Sequence, residues 1–211
     1  MGGNRSPQIN WKPKRPGVRL STVKPIAVPP NLVFFRSLLL NPRSIGAVVP
    51  SSPRLSRFIA ASVEPAKVPV LEIGAGTGTI TRELLRSGID PANLFVIERD
   101  AGLAWFLRQT FPDVLVRRDD ALNCGKILSD HAVPSVQTVV SSLPLRNMEP
   151  TQRDAIVEAM LNTLDRNGQL IQYTYAPLCP IPARRFDLIA ECLGRIWTNL
   201  PPATVWRFVK R

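Results

Sequence analysis

Residues Val68 to Gly78 read VPVLEIGAGTG. A short run of Val, Leu and Ile is the pattern of a strand buried on both faces. The run ends in Glu72 and passes into Gly74, Gly76 and Gly78. Those glycines let the backbone turn tightly and approach a ligand closely, where a Cβ would collide. Thr79 to Arg86, stopped by Ser87-Gly88, follow as a helix whose N-terminal amides face that ligand.

Two acids narrow the choice of ligand. Glu72 stands just before the glycines, where a nucleotide-phosphate site rarely wants negative charge. A second strand, Asn93 to Ile97, leads into Glu98, about twenty residues past the last glycine, where a ribose-binding acid is expected. A carboxylate there accepts two O–H bonds from a ribose. Acids on both sides suit a ligand that carries positive charge and a ribose. S-adenosylmethionine, with its ammonium and sulfonium, fits better than a dinucleotide pyrophosphate.

Working outward, strands and helices alternate from Val68 on. Strands are expected near 68–73, 93–98, 113–117, 136–141 and 168–175, with helices near 79–87, 100–110, 121–129 and 150–165. A fifth helix is expected at 182–193. Two more strands, 195–200 and 204–209, are separated only by Pro201-Pro202-Ala203, too short for a crossover helix, so they must be antiparallel. The architecture is therefore α/β, the class I (Rossmann-like) methyltransferase arrangement: a seven-stranded, mostly parallel sheet with a terminal antiparallel strand, preceded by a basic helical N-terminal extension.

That extension carries nearly all the net charge. Residues 1 to 63 hold ten Lys or Arg and no Asp or Glu, within a chain of net charge +11. Three segments follow: a basic, Pro-rich tail (1–30), a helical extension (31–66) and the catalytic domain (67–211). In the extension, Asn31 can cap LVFFRSLLL, closed by Asn41-Pro42; this helix either packs in the core or lies in a membrane interface. Ser51 or Ser52 reads as an N-cap with Pro53 at the first helical position, and Leu55, Phe58 and Ile59 form one apolar face. The basic third is an electrostatic footprint for a polyanion, either nucleic acid or an anionic membrane surface.

Other classes recede. No apolar run approaches the eighteen or so residues of a membrane span. The start lacks the apolar core of a secretory signal, although MGGNRS matches a loose myristoylation pattern. Cys124, Cys179 and Cys192 are odd in number and lack metal spacing, so reduced thiols are expected. With His131 as the sole histidine, expected in a loop before the fourth strand, no metal site is expected.

LEIGAGTGTIT (71–81), VIERD (96–100), SSLPLRNM (141–148), IQYTYAP (171–177) and NLPPATVWRF (199–208) together resemble the bacterial phospholipid N-methyltransferases, peripheral enzymes that methylate phosphatidylethanolamine. NPRSIGAVVPSSPRL (41–55) is similar to the segment preceding the core domain in that family, so the resemblance covers residues 31 to 211. Ser142 departs from it, standing where the family's S-G-L-P has glycine. A related family, the ribosomal RNA adenine dimethyltransferases, shares the plan, but its fourth strand ends N-L-P-[FY]. Here Ser142-Leu143-Pro144-Leu145 supplies neither the amide nor the aromatic that stacks on a flipped adenine. The additional C-terminal helical domain of those enzymes is also missing from this sequence.

The resemblance implies S-adenosylmethionine as cofactor, with Glu72, Gly74, Gly76 and Gly78 at its methionine moiety, Glu98 on the ribose and Asp120 at the adenine amino group, Asp119 being the ambiguous neighbour. Ser141 is implied on the cofactor side, and Ser142, with nearby carbonyls, at the acceptor amine. Tyr173 and Tyr175, two apart on one strand, face the same side; an aromatic wall there stabilises methylated ammonium by about 0.5–2 kcal/mol. Arg43, Arg54 and Arg185 are candidates for the lipid phosphate. No side chain stands out as general base, so water or a tyrosine takes the proton. The implied partner is a phospholipid in an anionic membrane surface rather than nucleic acid, and the implied location is cytoplasmic, peripheral on the inner face of the cell membrane.

Overall fold

The computed structural model describes residues 52–199 and 201–211. The LVFFRSLLL helix, the Pro-rich tail and Arg43 lie outside the described residues. Among those described, seven strands form one sheet in the order β3-β2-β1-β4-β5-β7-β6. They are β1 (Val70–Ile73), β2 (Leu94–Glu98), β3 (Leu115–Arg118), β4 (Val136–Ser141), β5 (Leu164–Thr174), β6 (Leu188–Ile196) and β7 (Ala203–Lys210). β1 to β5 pair in parallel. β7 runs antiparallel to both β5 and β6, so β6 points the same way as β1 to β5. The C-terminal ends of six strands therefore share one edge of the sheet, where ligands bind in open α/β folds.

Five α-helices cover the two faces among the described residues: α1 (Pro53–Ala61), α2 (Thr79–Arg86), α3 (Ala101–Thr110), α4 (Cys124–Asp130) and α5 (Pro150–Thr163). Leu55 and Ile59 of α1, Ile80 and Leu84 of α2 and Leu107 of α3 pack with Val70, Val96, Val140 and Ile171 on one face. Ile127 and Leu128 of α4 and Val157 and Met160 of α5 pack with Leu71, Ile73, Val139 and Leu170 on the other. Alternate residues of β1 thus feed opposite layers, as the pleat requires.

α1 is built as its sequence dictates. Ser52 Oγ accepts from the amide of Leu55 at 3.2 Å, and Pro53 occupies the first turn. Such a cap contributes about 1 kcal/mol. Leu55 and Ile59 are fully buried, each contributing about 1.5–3 kcal/mol of transfer free energy. The described part of the extension is thus part of the same core as the sheet.

One expected element is absent. Residues 182–193 form no α-helix: a single 3-10 turn, Ala183–Phe186, ends at Asp187 with φ 50°, and β6 begins at Leu188. The expected strand at 195–200 accordingly starts earlier and stops at Ile196. β7 explains the difference. With β5 on one side, its other edge would be left unpaired, and residues 188–196 satisfy it through eight registered positions. Tertiary pairing outweighs a helical spacing of apolar residues. The antiparallel relation expected for the last two strands is present, across the turn Trp197 to Pro202.

Candidate active site

The chain leaves β1 through Gly74, Gly76 and Gly78, all at positive φ of 72°, 58° and 73°. The three glycines do different work. A Cβ on Gly76 would meet nothing within 4 Å, so this residue faces open space. A Cβ on Gly78 would lie 2.5 Å from Phe111 and 2.7 Å from Leu107. Gly78 therefore serves the close packing of α2 on α3. Gly74 borders the loop after β4, its missing Cβ 3.0 Å from Leu143.

Glu98, at the end of β2, is buried, and both carboxylate oxygens are held by main-chain donors. The amide of Gly76 donates to Oε2 and that of Asp100 to Oε1, each at 2.9 Å. The glycine turn and the acid thus form one unit, with the open side of Gly76 beside a fixed carboxylate.

Glu72 is fully buried behind that turn. Thr81 Oγ1 donates to its Oε2 at 2.7 Å, while Oε1 has no hydrogen-bond partner. Burial pushes its pKa from 4.5 up to about 7, with Glu98 adding a smaller rise through like charge. Glu72 is 0% exposed, so what it offers a ligand from this position is its field and its support of the turn. An orphaned carboxylate oxygen near an open glycine cradle fits a ligand bringing positive charge. A second carboxylate fixed by amides fits a ribose. The residues therefore fit S-adenosylmethionine.

At the end of β3, Asp120 Oδ1 accepts from the amide of Leu122 at 3.0 Å and caps a 3-10 turn, and Oδ2 lies 3.8 Å from the Arg99 guanidinium. Asp119 accepts from Asn123 Nδ2 at 2.7 Å and from the Asp120 amide, bonds that hold its carboxyl below the usual range.

At the end of β4, Ser141 is fully buried, and its Oγ accepts from the Leu143 amide at 3.4 Å. That bond ties its side chain to the loop after β4. Ser142 is half-buried and tied through its amide to the Ile73 carbonyl at 3.0 Å. The Leu143 carbonyl accepts from Gln172 Nε2 at 3.0 Å, so it is engaged.

Tyr173 and Tyr175 meet edge to face, ring centroids 5.7 Å apart, on the face covered by α1. The phenol of Tyr175 shares hydrogen bonds with Tyr173 and Asn199, and burial holds its pKa well above the ordinary tyrosine value. At neutral pH it is an uncharged phenol, which removes it as the base the sequence left open.

The three arginines divide. Arg54 is exposed in the first turn of α1, at the active edge. Arg185 pairs with Asp154 at 2.5 Å, a carboxylate it shares with Arg153 on the α5 flank. Arg43 is outside the described residues.

Asn199 went unassigned in the sequence and is central in the structure. Its Oδ1 accepts from the Ser52 amide at 3.3 Å, its Nδ2 donates to the Pro201 carbonyl at 2.7 Å, and its side chain bonds Tyr175. It joins the start of α1, the turn after β6 and the tyrosine pair. An Asn ahead of two prolines was its signal. Gln172 was signalled by a polar residue in the apolar run LIQYTY. Among the described residues, no three His, Cys, Asp or Glu cluster as metal ligands, and no helix is long and apolar enough to cross a membrane.

No family model matches the chain. Among solved structures, an O-methyltransferase from Bacillus cereus in complex with SAH aligns over 88% of this chain and 94% of that one, with TM-score 0.61 and 17% identity. The fold and the glycine–acid site define the class: the chain has the architecture and cofactor loop of the class I, S-adenosylmethionine-dependent methyltransferases. Within that class it is 29% identical over 178 residues, 81% of this chain and 91% of the other, to ornithine lipid N-methyltransferase of Singulisphaera acidiphila. Ribosomal RNA small subunit methyltransferase A of Thermotoga neapolitana is 35% identical over 107 residues. That match takes in 48% of this chain and spans only 37% of the ribosomal RNA enzyme.

Proposed function

We propose that this protein transfers methyl groups from S-adenosylmethionine to the amine of a membrane lipid, phosphatidylethanolamine, in successive steps toward phosphatidylcholine. The observation that carries the reading is the similarity to a lipid N-methyltransferase along 81% of the chain, against a partial match to the ribosomal RNA enzymes. The burial of Leu145 agrees with it. That side chain is 1% exposed and packs in the α4–α5 layer, so its position presents no platform on which a flipped base could stack.

The bound cofactor supplies a methyl group already activated by the sulfonium, so alignment and exclusion of water carry most of the catalysis. Glu98 holds the ribose hydroxyls, its own oxygens fixed in advance by the amides of Gly76 and Asp100. Asp120 faces the adenine amino group. Glu72 contributes negative potential behind the turn. Ser142 and neighbouring carbonyls orient the acceptor amine, which must be uncharged before its lone pair can attack. Tyr173 and Tyr175 present aromatic faces to the methylated cation. The amine proton leaves to water or to a tyrosine. Arg54 is the described arginine placed to meet the lipid phosphate. The enzyme works peripherally at an anionic membrane surface on the cytoplasmic side, recruited by its basic first third, an attraction that salt weakens.

The test is incorporation of labelled methyl into phosphatidylethanolamine vesicles, run beside ornithine lipid vesicles and a ribosomal RNA substrate. Label in phosphatidylethanolamine supports the reading. Label confined to ornithine lipid moves the substrate within the aminolipids, and label in RNA alone overturns it.

A further inference from the structure

The two halves of the active edge differ in charge. Glu98, Asp100, Asp119 and Asp120 lie at the ends of β2 and β3, on the cofactor half, where exposed Arg99 and Arg118 offset part of their charge. The half formed by the ends of β4, β5 and β6 and the start of α1 carries exposed Arg54, Arg146 and Arg195, with Glu149 as its acidic exception. The basic residues 1 to 51 join the fold on that same half, because the Ser52 amide is bonded to Asn199.

Two large apolar side chains stand out from this basic half. Trp197, in the turn after β6, is 69% exposed, and Leu178, in the loop after β5, is 63% exposed. The Arg195 guanidinium lies over the Trp197 ring, 4.1 Å from its centroid. Pro177 and Pro180 flank Leu178 and restrain its loop. β6 is two strands away from β5, so Trp197 sits roughly 10 Å to the side of the tyrosine pair, by the spacing of strands in a sheet. A tryptophan capped by a guanidinium is apolar at its body and cationic at its rim, the chemistry of a side chain at a headgroup boundary.

We propose that this basic, tryptophan-bearing half of the edge is the surface that docks on an anionic lipid bilayer. Trp197 and Leu178 enter the boundary between headgroups and acyl chains, and Arg195 meets lipid phosphate. The lipid amine then arrives beside Ser142 and the tyrosines, while the cofactor half stays open to the aqueous cofactor. The proposal rests on the aminolipid reading for its orientation but has its own measurement.

The experiment uses the full chain and sedimentation with phosphatidylcholine vesicles, with and without an equal share of phosphatidylglycerol. Trp197→Ala and Leu178→Asp should each lower partitioning onto the anionic vesicles about tenfold. Arg195→Glu should lower it on anionic vesicles and leave it unchanged on neutral ones. Trp105→Ala removes another exposed tryptophan, on α3 away from this half, and should match the parent. Circular dichroism melting confirms that the compared variants are folded. Methylation of monomeric short-chain phosphatidylethanolamine by Trp197→Ala should equal that of the parent, since docking is not needed there. Parent-like vesicle binding by both Trp197→Ala and Leu178→Asp overturns the proposal, as does loss of RNA gel shift with vesicle binding intact. If no aminolipid is methylated yet vesicle binding still depends on Trp197, the docking surface stands and the substrate reading falls.

Discussion

The amide of Gly76 donates a 2.9 Å hydrogen bond to Oε2 of Glu98, 22 residues further along the chain. The bond joins the glycine turn to the acid at the end of β2. It also orients the carboxylate, so that binding a diol requires little reordering.

Glu98→Ala removes that preformed acceptor. Each hydrogen bond to a charged group is worth about 1.5–3 kcal/mol, and two ribose hydroxyls are involved. Affinity for S-adenosylmethionine, read by calorimetry, should fall at least about a hundredfold. Unchanged affinity removes the ribose role.

The glycines separate folding from binding. Gly78→Ala places a Cβ 2.5 Å from Phe111 at a φ of 73°, and should destabilise by about 2–4 kcal/mol. Gly76→Ala meets no atom in the protein and should lose about 1–2 kcal/mol from backbone strain alone. Thermal melting should rank Gly78→Ala lower, while cofactor affinity per folded molecule should suffer more in Gly76→Ala.

Glu72 predicts a pH dependence. Its pKa in the folded protein, about 7, is above the ordinary value of 4.5. Between those values the folded state holds a proton that the unfolded state has released, so stability falls as pH rises through this window and levels off above it. Glu72→Gln removes the penalty. Without cofactor it should be more stable than the parent at pH 8, by an amount on the order of 3 kcal/mol, and similar to it at pH 4.5. A cationic cofactor favours the carboxylate, so binding near pH 7 should release protons, seen as calorimetric heats that vary with the buffer's ionisation enthalpy. Buffer-independent heats argue against the linkage.

Asn199→Ala disconnects Ser52, Pro201 and Tyr175 at once. Losing buried partners costs about 1–3 kcal/mol each, so the melting temperature should fall by several degrees, at about 2–4 °C per kcal/mol for a chain of this size. Turnover should fall with it as Tyr175 loses its anchor. Asn199→Asp keeps the acceptor for Ser52 but loses the donor to Pro201, and should lie between. A variant as stable and active as the parent would show that the junction is idle.

The parallel core and the cofactor half were legible because their signals are local. A strand, a glycine turn, a helix stopped at Ser87-Gly88 and an acid at the next strand end lie within the stretch from Val70 to Glu98. The region after Thr174 was harder. Residues 182–193 were expected to be helical, and only the open edge of β7 makes 188–193 part of a strand. The burial of Ser141, the pairing of Arg185 with Asp154 and the threefold bonding of Asn199 all join residues distant in sequence. No single-chain pattern records which polar side chain is consumed by which neighbour.

The attachment of Ser52 to Asn199 also has a use at the bench. The first fifty-one residues enter the fold at the reactive edge, whereas β7 carries the chain away from it, from Ala203 to Lys210. A bulky label at Ser52 will crowd the mouth where substrate must enter. A tether at Arg211 holds the protein by its opposite rim and leaves that mouth facing outward, which makes it the attachment point for surface binding assays.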